Sequence, residues 1–415
     1  MSQSLLVQLM INLLDNLNVE TIGYMFDQTM EDFLQIDDRI FISSRGTYIN
    51  RGLIDHVDHN KAKNALLEIS LKLQLGSELG TDIKPFIVFA KGFNSKPDSP
   101  IMVDFPREMI HIDVNNRVTH FSLNSDNFST QNTDEDNVFL YPHSIKIISE
   151  ESREIFCDKV NKATKKIANT ELEKVVLARQ IKMKADVSFD PRLIVSELID
   201  SQPESYIFSI NSFVGATPEL LIEKFSRTIS LLPMAGTRKR HARIDDDDND
   251  VANLQTNSKD LSEHAFLIEN ILSKLSTIAY DIAASSTPRV IRLPHVSHLT
   301  TPISASVSND VDLLKLVNLL HPTPAVGGTP LDLALDTIRE LENFDREIYG
   351  APIGWFDADG DGQCAIALRC AKLTENVATL FAGVGIVSGS DPKEEFDETQ
   401  AKFGPMRDAL LNIVH

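Results

Sequence analysis

LFAGVGIVSGSDPKEEFDETQAKFGPM, residues 380–406, combines a glycine-rich strand, a turn and the start of an acidic helix. Gly383 and Gly385 carry no Cβ atom, so a ligand can approach the backbone closely at these positions. Asp391 and Pro392 form a typical helix start, with proline at the first helical position. The segment therefore predicts one wall of a binding site, built from a strand and the helix that follows it.

Three charged residues share one face of this predicted helix. Glu395, Glu398 and Lys402 are three and four residues apart, which places their side chains on neighbouring turns. Two carboxylates and one ammonium group on one face can hold a divalent cation and an anion together. The same spacing is also that of an ordinary solvated Glu–Lys pair, and the helix alone does not separate the two interpretations.

The chain before this segment mixes strand and helix patterns without a regular βαβ alternation. Strands at hairpin spacing, interrupted by long helices, predict an α+β fold with large antiparallel sheets. We expect residues 1–150 to form the N-terminal part of this fold and residues 151–415 the part that carries the functional motifs, in one intertwined domain. The predicted helices include an amphipathic N-terminal helix, and others at about 60–73, 149–168 and 250–284.

The overall charge limits the partners of the protein. The 415 residues include 40 Lys and Arg against 60 Asp and Glu, a net charge of −20. Such a charge opposes binding to nucleic acid or to an anionic membrane surface. An anionic substrate would therefore need a local positive pocket or a bound metal ion.

Three further observations indicate a cytoplasmic protein. The N-terminal apolar run has no basic region before it and contains Asp15, so it does not resemble a signal peptide. No apolar stretch approaches the ~18 residues of a membrane span. Cys157, Cys364 and Cys370 are odd in number and lack the spacing of a zinc site, so we expect reduced thiols.

No heptad pattern predicts self-association, and we expect a monomer.

Eight motifs in a fixed order resemble the chorismate-utilising enzymes, and among them the isochorismate synthases. The resemblance covers residues 174–406 and is weak in the N-terminal third. Its motifs are KVVLAR (174–179), GATPELLIEK (215–224), AGTRKR (235–240), SKDLSEH (258–264), LHPTPAVGG (320–328), FDREIYGAPIGW (344–355), ALRCAK (367–372), and FAGVGIV (381–387) with EEFDETQAK (394–402). The resemblance implies a sandwich of antiparallel sheets with helices packed outside, and chorismate as the substrate.

The resemblance also implies Mg²⁺ as the cofactor. The positions that match the family's metal ligands are Glu263 and Glu398, with Glu395 in the outer shell through water. Hard carboxylate oxygens with retained waters are the ligands that Mg²⁺ favours. The metal would neutralise the ring carboxylate of the substrate. Taken without the resemblance, Glu263 would be read as a carboxylate on a helix surface.

The two catalytic positions implied by the resemblance are Lys174 and Glu219. Lys174 matches the general base, which takes a proton from the water that attacks C2 of the ring. Glu219 matches the general acid, which protonates the departing C4 hydroxyl and should have a raised pKa. Without the resemblance, Lys174 would be a cation at the end of a strand and Glu219 a turn residue.

Further positions match the family's substrate-binding residues. The second carboxylate of chorismate needs fixed cations and N–H donors, which Arg369, Lys402 and the backbone at Gly383 can supply. The remaining matched positions are Gly236, Thr237, His321 and Ala325.

The choice of reaction within the family depends on two residues. Enzymes that use ammonia lack a lysine at the base position, so Lys174 favours water as the nucleophile. Salicylate synthases keep this lysine but carry threonine where this chain has Ala325, which favours a reaction that stops at isochorismate. A salicylate synthase and a non-catalytic chorismate-binding subunit are the alternatives. The product would enter siderophore or menaquinone synthesis.

Overall fold

The computed structural model describes residues 18–20, 34–76, 84–94, 101–123, 139–239, 251–292 and 296–414. The helices are α1 (His59–Gly76), α2 (Arg153–Asn169), α3 (Pro191–Ser201), α4 (Ser258–Leu275), α5 (Leu313–Leu320), α6 (Leu331–Leu341) and α7 (Pro392–Asn412). The strands of the first half are β1 (Asn18–Glu20), β2 (Arg39–Ser43), β3 (Gly46–Asp58), β4 (Phe86–Ala90), β5 (Met102–Ile112), β6 (Val118–Ser122), β7 (Ile145–Glu150), β8 (Lys174–Ala185), β9 (Tyr206–Ile210) and β10 (Phe213–Thr217). Those of the second half are β11 (Leu220–Phe225), β12 (Thr228–Leu232), β13 (Met234–Lys239), β14 (Ala279–Ala284), β15 (Arg289–Arg292), β16 (Val296–Thr300), β17 (Ile303–Val307), β18 (Gly328–Thr329), β19 (Pro352–Asp357), β20 (Gly362–Ile366), β21 (Cys370–Thr374) and β22 (Val377–Val387).

The strands form two large sheets and one small sheet. The first has twelve strands, in the order β1-β6-β5-β3-β2-β9-β10-β21-β22-β8-β18, and β7 also pairs with β8. The second has seven strands, in the order β14-β17-β12-β11-β20-β19-β4, and the small sheet is β13-β16-β15. Neighbouring strands pair antiparallel, as for β8 with β22 and β11 with β20. The predicted α+β class with large antiparallel sheets is confirmed.

The main hydrophobic core lies between the two large sheets. Tyr48 of β3 stacks on Trp355 of β19 with ring centroids 4.0 Å apart, and Phe86 meets Tyr48 edge-on at 5.1 Å. A second core covers the other face of the larger sheet, where Leu193 of α3 and Phe403 of α7 are buried. Burial of such side chains is the main stabilising contribution to a fold of this kind. The result is a sandwich with helices on its outside.

Strands from the N-terminal part pair directly with strands of the catalytic region. Phe41 of β2 pairs with Phe208 of β9, and Val88 of β4 pairs with Trp355 of β19. Both large sheets therefore contain strands from before and after residue 150.

Two predicted helices differ from the structure. The helix predicted from residue 149 begins later, because Ser149 and Glu150 end β7 and the hydroxyl of Ser152 caps α2. The single helix predicted over 250–284 is instead a short helical stretch at residues 251–256 and then α4, which ends at Leu275 and is followed by β14. The pairing of β14 with β17 depends on a strand far along the chain, which local periodicity does not reveal. The predicted N-terminal helix lies outside the described residues.

Strand β8 and helix α7 position the site. Valine and leucine at 175–177 suit a strand that is buried on both faces. β22 pairs with β8 along its length, from Lys184 opposite Val377 to Lys174 opposite Val387. α7 begins as predicted, because a carboxylate oxygen of Asp391 accepts from the backbone N–H groups of Lys393 and Glu394 at 2.8 and 3.1 Å.

Candidate active site

A cavity lies where β8, β13, β16 and β22 meet helices α4 and α7. It encloses about 590 Å³ between the atoms, including its open mouth. The residues singled out in the sequence that line it are Glu219, Gly236, Glu263, Ala325, Arg369, Gly383, Gly385 and Lys402. The structure therefore brings together residues spread over more than 180 positions of the chain.

Lys174 lies directly behind this lining. It is the first residue of β8, and its side chain is fully buried. Its Nζ atom lies 2.8 Å from Oε1 of Glu263, a cavity-lining residue of α4. A Cβ atom at Gly385 would lie 2.5 Å from Oε1 of Glu263 and 2.8 Å from Cε of Lys174. Only glycine at position 385 leaves space for this pair of side chains.

Glu219 lies in the short connection between β10 and β11. Its backbone carbonyl accepts a hydrogen bond from Ile366 N–H at 3.0 Å, which holds the connection against β20. The side chain is buried, and burial raises the pKa of its carboxyl to about 7 against the attraction of Arg369 and Lys174. A carboxyl with this pKa can both give and take a proton near neutral pH. The raised pKa expected from the sequence is thus found.

Helix α7 brings a second lysine to the cavity. Nζ of Lys402 donates to the carbonyl oxygen of Gly383 at 3.0 Å and lies 2.6 Å from Oε1 of Glu398. The predicted Glu–Lys pair of α7 is therefore present, and it faces the protein instead of solvent, because the Lys402 side chain is only 12% exposed. The hydrogen bond from Lys402 to Gly383 holds α7 against β22 at a point where this strand lines the cavity.

Arg369 and His298 lie side by side in the lining. Nη2 of Arg369 lies 3.4 Å from Nε2 of His298, and Nδ1 of His298 lies 3.3 Å from the carbonyl oxygen of Gly236. Burial and the nearby Arg369 charge hold the pKa of His298 well below its ordinary value. The imidazole is therefore neutral, with its proton on Nδ1 toward Gly236 and Nε2 accepting from Arg369. Arg369 itself adopts φ of 48°, and burial lowers the pKa of its guanidinium.

Tyr349 and Ala325 complete the lining on another side. A Cβ atom at Gly383 would lie 2.8 Å from the hydroxyl oxygen of Tyr349, so this hydroxyl approaches the backbone of β22 closely. The ring of Tyr349 stacks on Phe381 with centroids 5.2 Å apart, and burial raises the pKa of the phenol. Ala325 lies in the loop between α5 and β18.

The charges around the cavity suit an anionic ligand. Arg369 and Lys402 line it, and Lys174 lies directly behind it, so three cationic side chains converge in a protein of net charge −20. A focused positive pocket attracts anions even when the whole surface is acidic. Glu219 is protonated for much of the time near neutrality, which reduces the opposing negative charge.

The carboxylates predicted to bind Mg²⁺ are each paired with a lysine in this structure. Glu263 pairs with Lys174 and Glu398 with Lys402. Within the described residues, no three His, Cys, Asp or Glu side chains are grouped as a metal site. Mg²⁺ needs fewer protein ligands than this, since it commonly binds one or two carboxylates and keeps several waters. The donor chemistry of Glu263 and Glu398 therefore fits Mg²⁺ with substrate and water as the remaining ligands.

Four predicted positions besides Lys174 are not among the described residues that line the cavity. Glu398 contacts the lining residue Lys402 through its ion pair. The side chain of Glu395 is buried on α7. His321 is buried at the end of α5 with its ring 5.9 Å from Phe93, and burial lowers its pKa to about 3. The backbone of Thr237 pairs with His298 in the small sheet, and its side chain lies outside the described residues.

A larger groove lies beside the cavity and shares one residue with it. Glu263 lines both, together with Glu173, Ser262, Pro330 and Val387 on the groove side. Lys174 follows Glu173 directly in the chain. The shared carboxylate marks the point at which the inner cavity meets the outer surface.

Sequence reasoning did not assign roles to Tyr349 and His298. Tyr349 falls inside the motif at 344–355, so its aromatic hydroxyl was visible, but nothing local indicated that it would face Gly383. His298 lies in the middle of β16, whose five residues VSHLT are all buried although three of them are polar. The sequence alone does not reveal this burial, and a buried imidazole needs hydrogen-bond partners.

Comparison with known proteins gives the family. The family model described as "Chorismate binding enzyme" matches residues 109–411. The isochorismate synthase MenF of Bacillus subtilis is 36% identical over 255 residues, which are 60% of this chain and 54% of that protein. The isochorismate synthase EntC of Escherichia coli K12 is 36% identical over 252 residues, 60% of this chain and 64% of that protein. The chain thus aligns with less than two thirds of the length of these relatives.

A solved structure extends the similarity to the whole fold. DhbC of Bacillus anthracis, described as a 2,3-dihydroxybenzoate-specific isochorismate synthase, matches with a TM-score of 0.74 and 26% identity, over 98% of this chain and 100% of that one. No helix among the described residues is long and apolar enough to cross a membrane. The family model covers nearly three quarters of the chain, including every residue of the cavity described above. The chain belongs to the family of chorismate-binding enzymes.

Proposed function

We propose that this protein is an isochorismate synthase, which converts chorismate to isochorismate with Mg²⁺ as its cofactor. The observation that carries the proposal is that one cavity has a buried lysine, Lys174, in contact with its lining residue Glu263, and a buried lining carboxyl, Glu219, whose pKa burial raises to about 7. The reaction adds water at C2 of the ring and expels the C4 hydroxyl, so it needs one base and one acid. These two residues supply them.

Proton movement in the proposed reaction is balanced. Lys174 in its neutral form takes a proton from the attacking water as its oxygen bonds to C2. The two ring double bonds shift, from C1=C2 to C1=C6 and from C5=C6 to C4=C5, and the C4–O bond breaks. Glu219 in its protonated form gives its proton to the departing hydroxyl, which leaves as water. Proton transfer between the two residues through solvent restores the starting state, and the product is an isomer of the substrate.

The cations at the cavity would orient the substrate. Chorismate carries two carboxylates, and Arg369 with its neutral partner His298 would hold one of them. Lys402 contributes a second positive charge to the lining. Mg²⁺, held by Glu263 and Glu398, would supply charge neutralisation at the ring carboxylate. Because Lys174 is paired with Glu263, its amine becomes available as a base only when that carboxylate releases it.

Two features support water as the nucleophile and isochorismate as the end point. A lysine is present at the base position, and its amine is directed to Glu263 at the cavity wall. Ala325 lines the cavity with a single methyl group, where the threonine of a salicylate synthase would add a hydroxyl. The names of the aligned Bacillus and Escherichia relatives also support this reaction.

We further propose that the protein acts in the cytoplasm as a monomer and that its product enters siderophore or menaquinone synthesis. The three thiols of Cys157, Cys364 and Cys370 are all unbridged, as expected in a reducing compartment. The names of relatives include both menaquinone and siderophore enzymes, such as the vibriobactin-specific synthase of Vibrio cholerae.

Product chromatography tests the proposed function. Purified protein is incubated with chorismate and Mg²⁺, with EDTA and with Lys174→Ala as the two controls. Isochorismate alone, lost in both controls, is the expected result. Salicylate with pyruvate would instead identify a salicylate synthase. Unchanged chorismate from folded protein would identify a non-catalytic binding subunit.

A further inference from the structure

Strand β8 has a gap on the edge that faces away from β22. On that edge β18 pairs only with Lys174 and Val175, and β7 pairs only from Ile181 onward. Across residues 176–180, no strand of the described chain pairs with this edge. Backbone groups at a buried strand edge need hydrogen-bond partners, because leaving them without any is costly. This gap lies directly after the proposed base.

A buried ion pair fills the gap. Nη2 of Arg346 donates to the carbonyl oxygen of Val176 at 2.7 Å, and Ala178 N–H donates to Oε1 of Glu342 at 2.7 Å. Arg346 and Glu342 also bond to each other, with Nε to Oε2 at 2.9 Å and Nη2 to Oε1 at 2.5 Å. The two side chains therefore act as a substitute for a neighbouring strand.

The same guanidinium also holds the loop that carries Ala325. Nη1 of Arg346 donates to the carbonyl oxygen of Val326 at 2.8 Å. Val176 N–H donates to the carbonyl oxygen of Gly327 at 2.9 Å, so the loop and the strand also contact each other directly. Val176 and Ala325 both line the cavity. One side chain thus links two walls of the cavity without lining it.

Burial and shape explain why this residue is arginine. The side chains of Arg346 and Glu342 are each only 2% exposed. The planar guanidinium presents five N–H donors in a fixed arrangement, which allows it to serve a carboxylate and two carbonyls at once. The ring of Phe93 lies 4.5 Å from Cζ of Arg346 and further restricts the plane of the group. A lysine would keep the charge, but its ammonium group could not reproduce the three hydrogen-bond directions toward Glu342, Val176 and Val326.

We propose that Arg346, held by Glu342, is a positioning residue that sets the separation of the Ala325 loop and strand β8 at the active-site cavity. The proposal rests on the proposed function, since it assigns Arg346 a role in the same reaction. Arg346 acts through Val176, Val326 and the residues beside them, and it does not itself line the cavity.

The test compares Arg346→Lys with a matched control, Arg192→Lys. Arg192 is also buried, forms a forked ion pair with the Asp190 carboxylate and lies over an aromatic ring at 4.5 Å, but its helix α3 does not line the cavity. For Arg346→Lys we expect kcat per folded molecule to fall about 10²-fold, since small misplacements of an active site have effects of this size. KM should change far less. The control should keep the kcat and KM of the unaltered protein.

A second variant and a second measurement guard against misfolding. Glu342→Gln keeps the shape of the carboxylate but loses its charge, so it should lower kcat in the same direction by a smaller factor. Hydrogen exchange followed by mass spectrometry should show faster exchange at 174–178 and 321–329 in Arg346→Lys, and not in Arg192→Lys.

The outcomes separate this proposal from the proposed function. Equal kcat in Arg346→Lys and Arg192→Lys, or unchanged exchange in both segments, would overturn the role of Arg346. If the unaltered protein makes no isochorismate, the proposed function fails, and the exchange measurement still decides whether Arg346 holds the loop to the strand.

Discussion

The ammonium group of Lys174 lies 2.8 Å from a carboxylate oxygen of Glu263, and both are close to the backbone of Gly385. This contact joins the proposed base to a proposed metal ligand. The Lys174 side chain is fully buried, whereas that of Glu263 is 16% exposed and lines both the cavity and the outer groove. Whatever binds Glu263 from the cavity side therefore also controls access to Lys174.

The first prediction concerns Lys174→Met, which keeps most of the side-chain volume and removes the amine. We expect a folded protein whose kcat is lower by roughly 10²–10⁴-fold, the range for loss of a proton-transfer group. Product formation from chorismate measures kcat, and circular dichroism checks the fold. Lys166→Met is the control, because Lys166 forms a surface ion pair with Glu340 far from the cavity. Equal activity in both variants would remove Lys174 from the mechanism.

The second prediction concerns Gly385→Ala. The added methyl group would lie 2.5 Å from Oε1 of Glu263 and 2.8 Å from Cε of Lys174, so one of these side chains must move. We expect kcat to fall by about 10²-fold, because the proposed base is displaced. Steady-state kinetics with chorismate measures the change.

Gly389→Ala provides a matched control two residues beyond the end of β22. A Cβ atom there would meet nothing within 4 Å, although φ is +82°. This variant should lose about 1–2 kcal/mol of stability through its left-handed backbone, with kcat unchanged. A Gly385→Ala enzyme with full activity would show that the Lys174–Glu263 pair tolerates displacement.

Much of the site follows from the order of motifs in the sequence. The strand at 174–185 and the cap at Asp391 were predictable from local chemistry, since β-branched runs and an Asp-Pro helix start are short-range signals. Only the family resemblance predicted that Glu219, Glu263 and Lys402 would lie at one cavity, because these residues belong to three separate parts of the fold.

Other parts depend on contacts between distant segments. The hydrogen bonds of Arg346 to Val176 and Val326 join positions 170 and 20 residues away, and no local pattern encodes them. The same holds for β14, whose residues carry a helical pattern but pair with β17 in the seven-stranded sheet. Tertiary pairing overrides local propensity at such places.

The third prediction concerns the metal. Glu263→Gln and Glu398→Gln each remove one anionic oxygen donor, so Mg²⁺ affinity should fall by at least about tenfold. Isothermal titration with Mg²⁺ in the presence of chorismate measures this directly, and EDTA should abolish turnover of the unaltered protein. Glu394→Gln is the control, since it is exposed in the first turn of the same helix, whereas Glu263 lines the cavity and Glu398 pairs with the lining residue Lys402. Equal affinities in all three variants would place the metal elsewhere.

The fourth prediction concerns the pH dependence of the reaction. Burial raises the pKa of Glu219 to about 7 from an ordinary value of 4.5. As the proposed acid, Glu219 must be protonated, so kcat should fall as pH rises through about 7. Glu219→Gln should lower kcat by roughly 10²–10⁴-fold and remove this limb from any residual activity. A pH–rate profile whose alkaline limb persists in Glu219→Gln would assign that limb to another group.

The same carboxyl makes the fifth prediction, which concerns stability instead of rate. Between pH 4.5 and about 7, Glu219 is ionised in the unfolded chain and protonated in the folded protein, so the folded state binds more protons. The contribution of Glu219 to the free energy of unfolding is therefore fully present below pH 4.5 and is lost as pH rises toward 7, by about 1.4 kcal/mol for each pH unit. Glutamine does not ionise, so position 219 of Glu219→Gln makes no pH-dependent contribution to stability. Urea denaturation of both proteins should therefore show that Glu219→Gln is more stable relative to the unaltered protein at about pH 8 than at about pH 5. A stability difference that is the same at both pH values would show that Glu219 is ionised in the folded protein, and with it the role of proton donor would be lost.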